Sequence, residues 1–209
     1  MQNLEQIVGL LSQERFASYA QPGEDVALTL RRLQWNITLC EALYPSLHWL
    51  EIGLRNQMFR VIGEKTNRPE WLLDPNFLSD SEREQVGEAS RKLKEKGKTH
   101  SCPYLISELK FGFWTALADS RYETLWRNVI RDMFPYLKNS DRTRQHVSKY
   151  LNRVRRLRNA ASHHHSVWHW PDLAERYEDA YRILEWINPD FAAAIKPLDR
   201  FPAVLQMRV

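Results

Sequence analysis

Nearly every stretch of this chain repeats its apolar residues at intervals of three and four, and no run alternates apolar with polar for long enough to make a strand. That periodicity commits the chain to helices. Leu4, Ile7, Val8 and Leu11 predict a first helix over residues 3–19, ended by Pro22-Gly23. Val26, Leu30, Leu33, Ile37 and Cys40 predict a second over 24–43. Pro45 is expected to interrupt it, with Leu47, Leu50, Leu54, Met58 and Val61 marking a separate helix that ends near Gly63. Ser79–Glu82 and Ser120–Glu123 both carry the Ser-x-x-Glu spacing of a capping box. The first opens a charged helix running to about Lys96, polar almost all round and therefore expected to be exposed. The second precedes Leu125, Trp126, Val129 and Ile130. Residues 97–102 read as a loop, and Pro103 suits the first turn of a helix. Two further helices are predicted over 141–161 and 172–187, and Asn188-Pro189, Pro197 and Pro202 predict a short irregular tail. With 7 glycines in 209 residues, the tight turns of an all-β protein are poorly supplied. The expected fold is all-α, in one domain over residues 1–209 with no linker.

Several functional classes lose support at once. The two cysteines, Cys40 and Cys102, stand far apart and make neither a disulfide framework nor a zinc ribbon, so they read as reduced thiols. Residues 1–16 hold Glu5 and Glu14 among their apolar positions and lack the basic start and long apolar run of a signal peptide. No stretch approaches the roughly 20 apolar residues that span a bilayer. A soluble, cytoplasmic protein with no membrane partner is expected. There is no P-loop, glycine-rich dinucleotide turn, G-x-S-x-G elbow or HExxH, which removes support from most nucleotide-dependent and zinc-hydrolase chemistry.

The net charge of +4 is not spread evenly. Between positions 142 and 158 stand Arg142, Arg144, Lys149, Arg153, Arg155, Arg156 and Arg158, with no acid, so the rest of the chain is net negative. Val147, Tyr150, Leu151, Val154, Leu157 and Ala161 form the apolar stripe of the same helix. A charge run of this kind is either a solvated face or a surface that tracks phosphates. The absence of a compensating acid on the helix favours phosphate, with Arg142, Arg144, Lys149, Arg153, Arg155 and Arg156 as the candidate phosphate contacts of a nucleic-acid-type polyanion. Arg158 falls on the flank of the apolar stripe, where a guanidinium cannot lose its proton. Either it pairs with an acid from another helix or it lines a cleft.

His163, His164 and His165 follow directly, with His169 nearby. Histidine suits acid–base work near neutral pH. A metal site is disfavoured, because consecutive residues on a helix point about 100° apart and three adjacent imidazoles cannot converge on one ion.

Arg158-Asn159-Ala160-Ala161-Ser162-His163 is an R-N-x-x-x-H motif, followed by His164 and Trp168. It resembles the R-x(4–6)-H signature of HEPN domains, in particular the Abi-like (abortive infection) family of prokaryotes. The likeness covers most of the chain. Leu33-Gln34-Trp35-Asn36, Ala42-Leu43-Tyr44-Pro45 and Leu50-Glu51-Ile52-Gly53-Leu54-Arg55-Asn56 resemble the family's first half. Phe111-Gly112-Phe113-Trp114 and Leu125-Trp126 resemble its middle, and Phe134-Pro135 and Trp186-Ile187-Asn188-Pro189 its later segments. The family often has Glu-Pro after the paired histidines, where this chain has His165-Ser166.

The resemblance implies an all-α, HEPN-like helical bundle with added helices and an RNase motif in residues 141–168. It also implies a metal-independent ribonuclease or RNase-like toxin that needs no cofactor and builds its cleft across a homodimer. RNA, a second copy of the chain and an antitoxin protein are the partners it points to. RNA would supply its own nucleophile, the 2′-OH, leaving a 2′,3′-cyclic phosphate and a 5′-hydroxyl. His163 would carry the proton, Arg158 would stabilise charge on the phosphoryl oxygens, and Asn159 would hold the imidazole. Asn159 and His163 are i, i+4 neighbours on one face. Arg158 and His163 are about 140° apart on an ideal helix, whereas His165, seven residues on, falls nearer by angle. Either the helix distorts near its end or a dimer joins groups from two chains; His164 and His165 stay as reserves. Glu51, Arg55 and Asn56 form a second constellation. Glu51 and Arg55 have the spacing of an intrahelical salt bridge, and the resemblance implies instead a buried carboxylate that pairs with Arg158. Trp35, Trp49, Trp114, Trp126 and Trp168 read as core. The rival to a nuclease is a non-catalytic RNA- or protein-binding HEPN module.

Overall fold

The computed structural model describes residues 2–99 and 101–207, and every regular element among them is helical. The α-helices are α1 (Gln2–Leu11), α2 (Gln13–Ala17), α3 (Val26–Thr66), α4 (Asp80–Glu95), α5 (Cys102–Glu108), α6 (Phe111–Ala116), α7 (Glu123–Met133), α8 (Arg144–Ser162), α9 (Leu173–Ile187), α10 (Pro189–Ile195) and α11 (Phe201–Gln206), with short 3₁₀ turns between several of them. None is long and apolar enough to cross a membrane, among the described residues.

The central element is α3. Its 41 residues run through Pro45, where an interruption was expected. Leu39, Leu43, Leu47, Leu50, Leu54, Met58 and Val61 form one buried stripe that continues across the proline. Proline inside a helix costs about 3 kcal/mol through its missing N–H and its clash with the preceding turn. Each buried side chain of the stripe returns roughly 1.5–3 kcal/mol, so the stripe outweighs the break. The Ser46 hydroxyl also donates to the Leu43 carbonyl at 3.1 Å, bonding the backbone beside the proline. Around α3 pack α2 and α5 to α11, while α4 is carried on α5.

The first predicted helix breaks at Ser12, whose φ of 62° divides α1 from α2. The Ser12 hydroxyl then accepts the Arg15 amide and caps α2. Helix α4 is less exposed than its composition predicts, because Glu82, Val86, Ala89 and Leu93 form a narrow buried line. Neither predicted capping box forms. The Ser79 hydroxyl donates to the Glu82 carboxylate, which also accepts the Tyr122 hydroxyl at 3.0 Å. Ser120–Tyr122 make a 3₁₀ turn, and Glu123 reaches across to Arg144 at 2.6 Å. The tail is helical and not irregular: Pro189 and Pro202 sit in first turns, and the Asn188 side chain accepts the amides of Asp190 and Phe191. These short helices cover α3. The Trp35 indole donates to the Val204 carbonyl and the Trp49 indole to that of Phe191, each at 2.9 Å. Trp35, Trp114 and Trp126 are buried as expected, while Trp49 and Trp168 are half-buried at the edge of the core.

Gly53 explains how α10 approaches so closely. A Cβ at this position would lie 2.4 Å from Cε1 of Phe191, whose ring stacks on Trp49 with centroids 4.7 Å apart. Gly53→Ala is therefore expected to destabilise the protein by about 1–3 kcal/mol, through overpacking that outweighs alanine's better helix propensity. Urea unfolding checks this; an unchanged or raised midpoint would show that the α10 contact yields freely.

Candidate anion-binding cavity between α3 and α8

The seam between α3 and α8 encloses a cavity of ≈ 230 Å³ lined by Tyr44, His48, Glu51, Arg55, Arg158 and Ser162 among others. Residues 44, 48, 51 and 55 share one face of α3 at helical spacing, which is why one helix delivers four polar groups to one space. From α8, Arg158 projects from the flank of the apolar stripe toward them.

Both of the uses foreseen for Arg158 occur together. Its Nε donates to one oxygen of Glu51 at 3.2 Å, its Nη2 lies at ion-pair distance from the same oxygen, also at 3.2 Å, and the pair is only 28% and 17% exposed. Nη1 takes no part in that pair, so donors remain for the cavity. Glu51 thus turns to α8 and not to Arg55, its neighbour one turn along. Arg55 forms no ion pair among the described residues, and its Nε is buried without a hydrogen-bond partner. The cavity therefore holds two guanidiniums against one carboxylate, an excess of one positive charge in a partly dry setting. A planar guanidinium with unused N–H donors matches the oxygens of a phosphate or carboxylate. Cys40 also lines the cavity, but burial pushes its thiol up to about 11, so it is neutral there and a poor nucleophile.

The remaining predicted residues lie elsewhere. Helix α8 stays regular to Ser162, so no distortion brings His163 round to Arg158. His163 is the exposed C-cap, its amide bonded to the Asn159 carbonyl at 2.9 Å. His164 takes a left-handed φ of 60°, and the His165 amide bonds the Ala160 carbonyl at 2.9 Å, which is the long bond of a Schellman C-cap. That conformation costs a residue with a Cβ about 1–2 kcal/mol. The Arg15 guanidinium donates to the His164 carbonyl at 3.0 Å and helps to hold it. Asn36 holds the following residues, accepting the amides of Val167 and Trp168 at 2.7 and 3.1 Å. His164 lines a second cavity of ≈ 440 Å³ with Arg15, Tyr19 and Asn36; this space shares Cys40 and Ala161 with the first. All three histidines of the triplet are exposed, and His163 and His165 line neither cavity. Asn159 is half-buried and Asn56 exposed, and neither lines the first cavity.

The basic run on α8 is not a free face. Arg144 pairs with Glu123 of α7, Arg153 with Glu175 and Asp179 of α9, and Arg158 with Glu51 of α3. Asp179 is fully buried, and desolvation raises its pKa against the pull of Arg153 and Arg182. The Arg142 guanidinium is taken by the Asn139 side chain and the Pro135 carbonyl, and Arg155 by the Asn152 side chain. The compensating acids missing from α8 come from the helices packed on it. Lys149 and Arg156, both exposed, carry no ion pair among the described residues and form the open part of this surface.

One cavity residue escaped the sequence reading. His48 lies three residues before Glu51 and seven before Arg55, and that i, i+3, i+7 series of polar side chains within an apolar helix was the available signal. No family model matches the chain, and no curated protein or solved structure matches it either.

Proposed function

We propose that this protein is a metal-independent endoribonuclease of a prokaryotic phage-defence or toxin–antitoxin system, and that it holds the scissile phosphodiester in the α3/α8 cavity. The observation that supports this most is a held guanidinium, Arg158, beside an unpaired one, Arg55, in one partly buried space. The R-N-x-x-x-H resemblance supplies the reaction and the biological setting. The 2′-OH attacks phosphorus, the P–O5′ bond breaks, and the products are a 2′,3′-cyclic phosphate and a 5′-hydroxyl. Arg158 and Arg55 stabilise the charge that grows on the non-bridging oxygens. His163 carries a proton as acid or base, oriented by Asn159. Since His163 caps the end of α8 and lies outside this cavity, in this reading it serves the cavity of a second copy of the chain in a homodimer.

The test is direct. Purified protein incubated with RNA in excess EDTA should yield fragments ending in a 2′,3′-cyclic phosphate. Cleavage that requires added divalent metal, or no cleavage at all, overturns the reading. The exposed position of His163 outside the cavity favours a second reading, a non-catalytic RNA- or protein-binding module. In that case RNA binding weakens with salt and no product appears.

A further inference from the structure

The cavity contains an imidazole of its own. His48 lies on the same face of α3 as Glu51 and Arg55, and across the seam from Arg158. Its ring stacks on that of Tyr44, with centroids 5.2 Å apart and planes 12° from parallel, which restrains the imidazole plane. No hydrogen bond or ion pair engages either ring nitrogen among the described residues. His48 is exposed while Glu51 and Arg158 are largely covered, so the imidazole stands at the mouth and the guanidiniums deeper in. The charged and titratable groups that share the space with it are Tyr44, Glu51 and Arg55 on α3, Cys40 above them, and Arg158 on α8.

We propose that His48 is a further catalytic residue, the base that removes the 2′-OH proton of a single-stranded RNA whose phosphodiester is bound by Arg55 and Arg158. This rests on the nuclease reading above. The step balances as an exchange of protons. The 2′-OH proton passes to a ring nitrogen of His48 as the O2′–P bond forms. The P–O5′ bond breaks with its electron pair on O5′, which takes a proton from the imidazolium of His163 of a second copy. His48 leaves the step protonated and His163 neutral, and solvent restores both. Two imidazoles, one from each copy of the chain, thus divide the acid and base roles, so the exposed histidine of the motif need not reach the phosphate from within its own chain.

The experiment compares wild-type protein with His48→Ala and His48→Gln, using a short single-stranded RNA in EDTA across the range in which histidine titrates. His48→Ala should lower kcat by about 100-fold or more with KM little changed. The fall in rate on the acid side of the pH profile should disappear, because the base whose protonation causes it is gone. Added imidazole should restore part of the rate to His48→Ala and none to Arg158→Ala. Both His48 variants should melt with the wild type, since the side chain is exposed. A His48→Ala protein that cleaves at the wild-type rate overturns the proposal and leaves the nuclease reading standing. So does a slowed variant that keeps the acid-side fall and ignores imidazole, which would place His48 in a structural role. Wild-type protein that cleaves nothing overturns both readings, and does so before any substitution is made.

Discussion

Arg158→Ala is expected to reduce RNA cleavage by about 100- to 1,000-fold, the usual effect of removing one preorganised donor to a developing oxyanion. Stability falls with it. Glu51, 17% exposed, would lose both of its 3.2 Å contacts and remain as a partly buried, unpaired carboxylate, at a cost of about 1–3 kcal/mol. The two effects separate in the double variant Glu51→Gln/Arg158→Ala, which should regain stability and stay inactive. Arg158→Lys keeps the charge and loses the planar fork, so it should hold RNA better than alanine and cleave poorly. Arg55→Ala should behave differently again. Arg55 has no ion pair among the described residues and a buried Nε without a partner, so its removal should leave the melting temperature unchanged or raise it. Yet RNA binding should weaken, and the slope of log K against log salt should fall by about one. Thermal melts, cleavage rates and a salt titration on this set decide the matter. If Arg55→Ala destabilises the protein and leaves binding untouched, Arg55 is structural and the anion site loses one of its two cations.

Trp71→Ala is expected to cost about 3–5 kcal/mol, the largest stability loss of any single substitution considered. The side chain is fully buried in the turn that follows α3. It meets Phe59, Phe77 and Trp114 at ring-centroid distances of 6.0, 5.2 and 6.3 Å, and its indole donates to the Phe59 carbonyl at 3.1 Å. Truncation leaves an aromatic-sized void in the core. In a chain of this length each kcal/mol shifts Tm by roughly 2–4 °C, so a drop on the order of 10 °C should be seen by circular dichroism. Tyr136→Ala is the control. Tyr136 is 60% exposed, and its truncation should change stability by less than about 0.5 kcal/mol. A Trp71 variant that melts with the wild type would mean that this aromatic cluster does not anchor the end of α3.

The helices were legible because each needs only its own residues: Leu125, Trp126, Val129 and Ile130 define the buried side of α7 without reference to anything else. Errors came where distant packing competes with a local signal. Pro45 breaks a helix in isolation, but here the buried stripe of α3 runs past it on both sides. Asn188-Pro189 reads as a stop and is a start, because α10 has the flank of α3 to cover. Ser79 has the spacing of a cap, yet a buried Glu82 draws its hydroxyl away.

The same division holds for the site. By itself the sequence determined that the chain is all-helical, that its positive charge is gathered on one helix, and that Arg158 must either pair or line a cleft. These follow from periodicity and from counting charges along one element. Only the tertiary structure decided which of those charges are spent. Arg144, Arg153 and Arg158 find their acids 21, 22 and 107 residues away, on α7, α9 and α3. Arg55 finds none, and His48 is brought into its company. An ion pair depends on a separation of a few ångströms, and no spacing along the chain sets that distance between helices that meet only on folding.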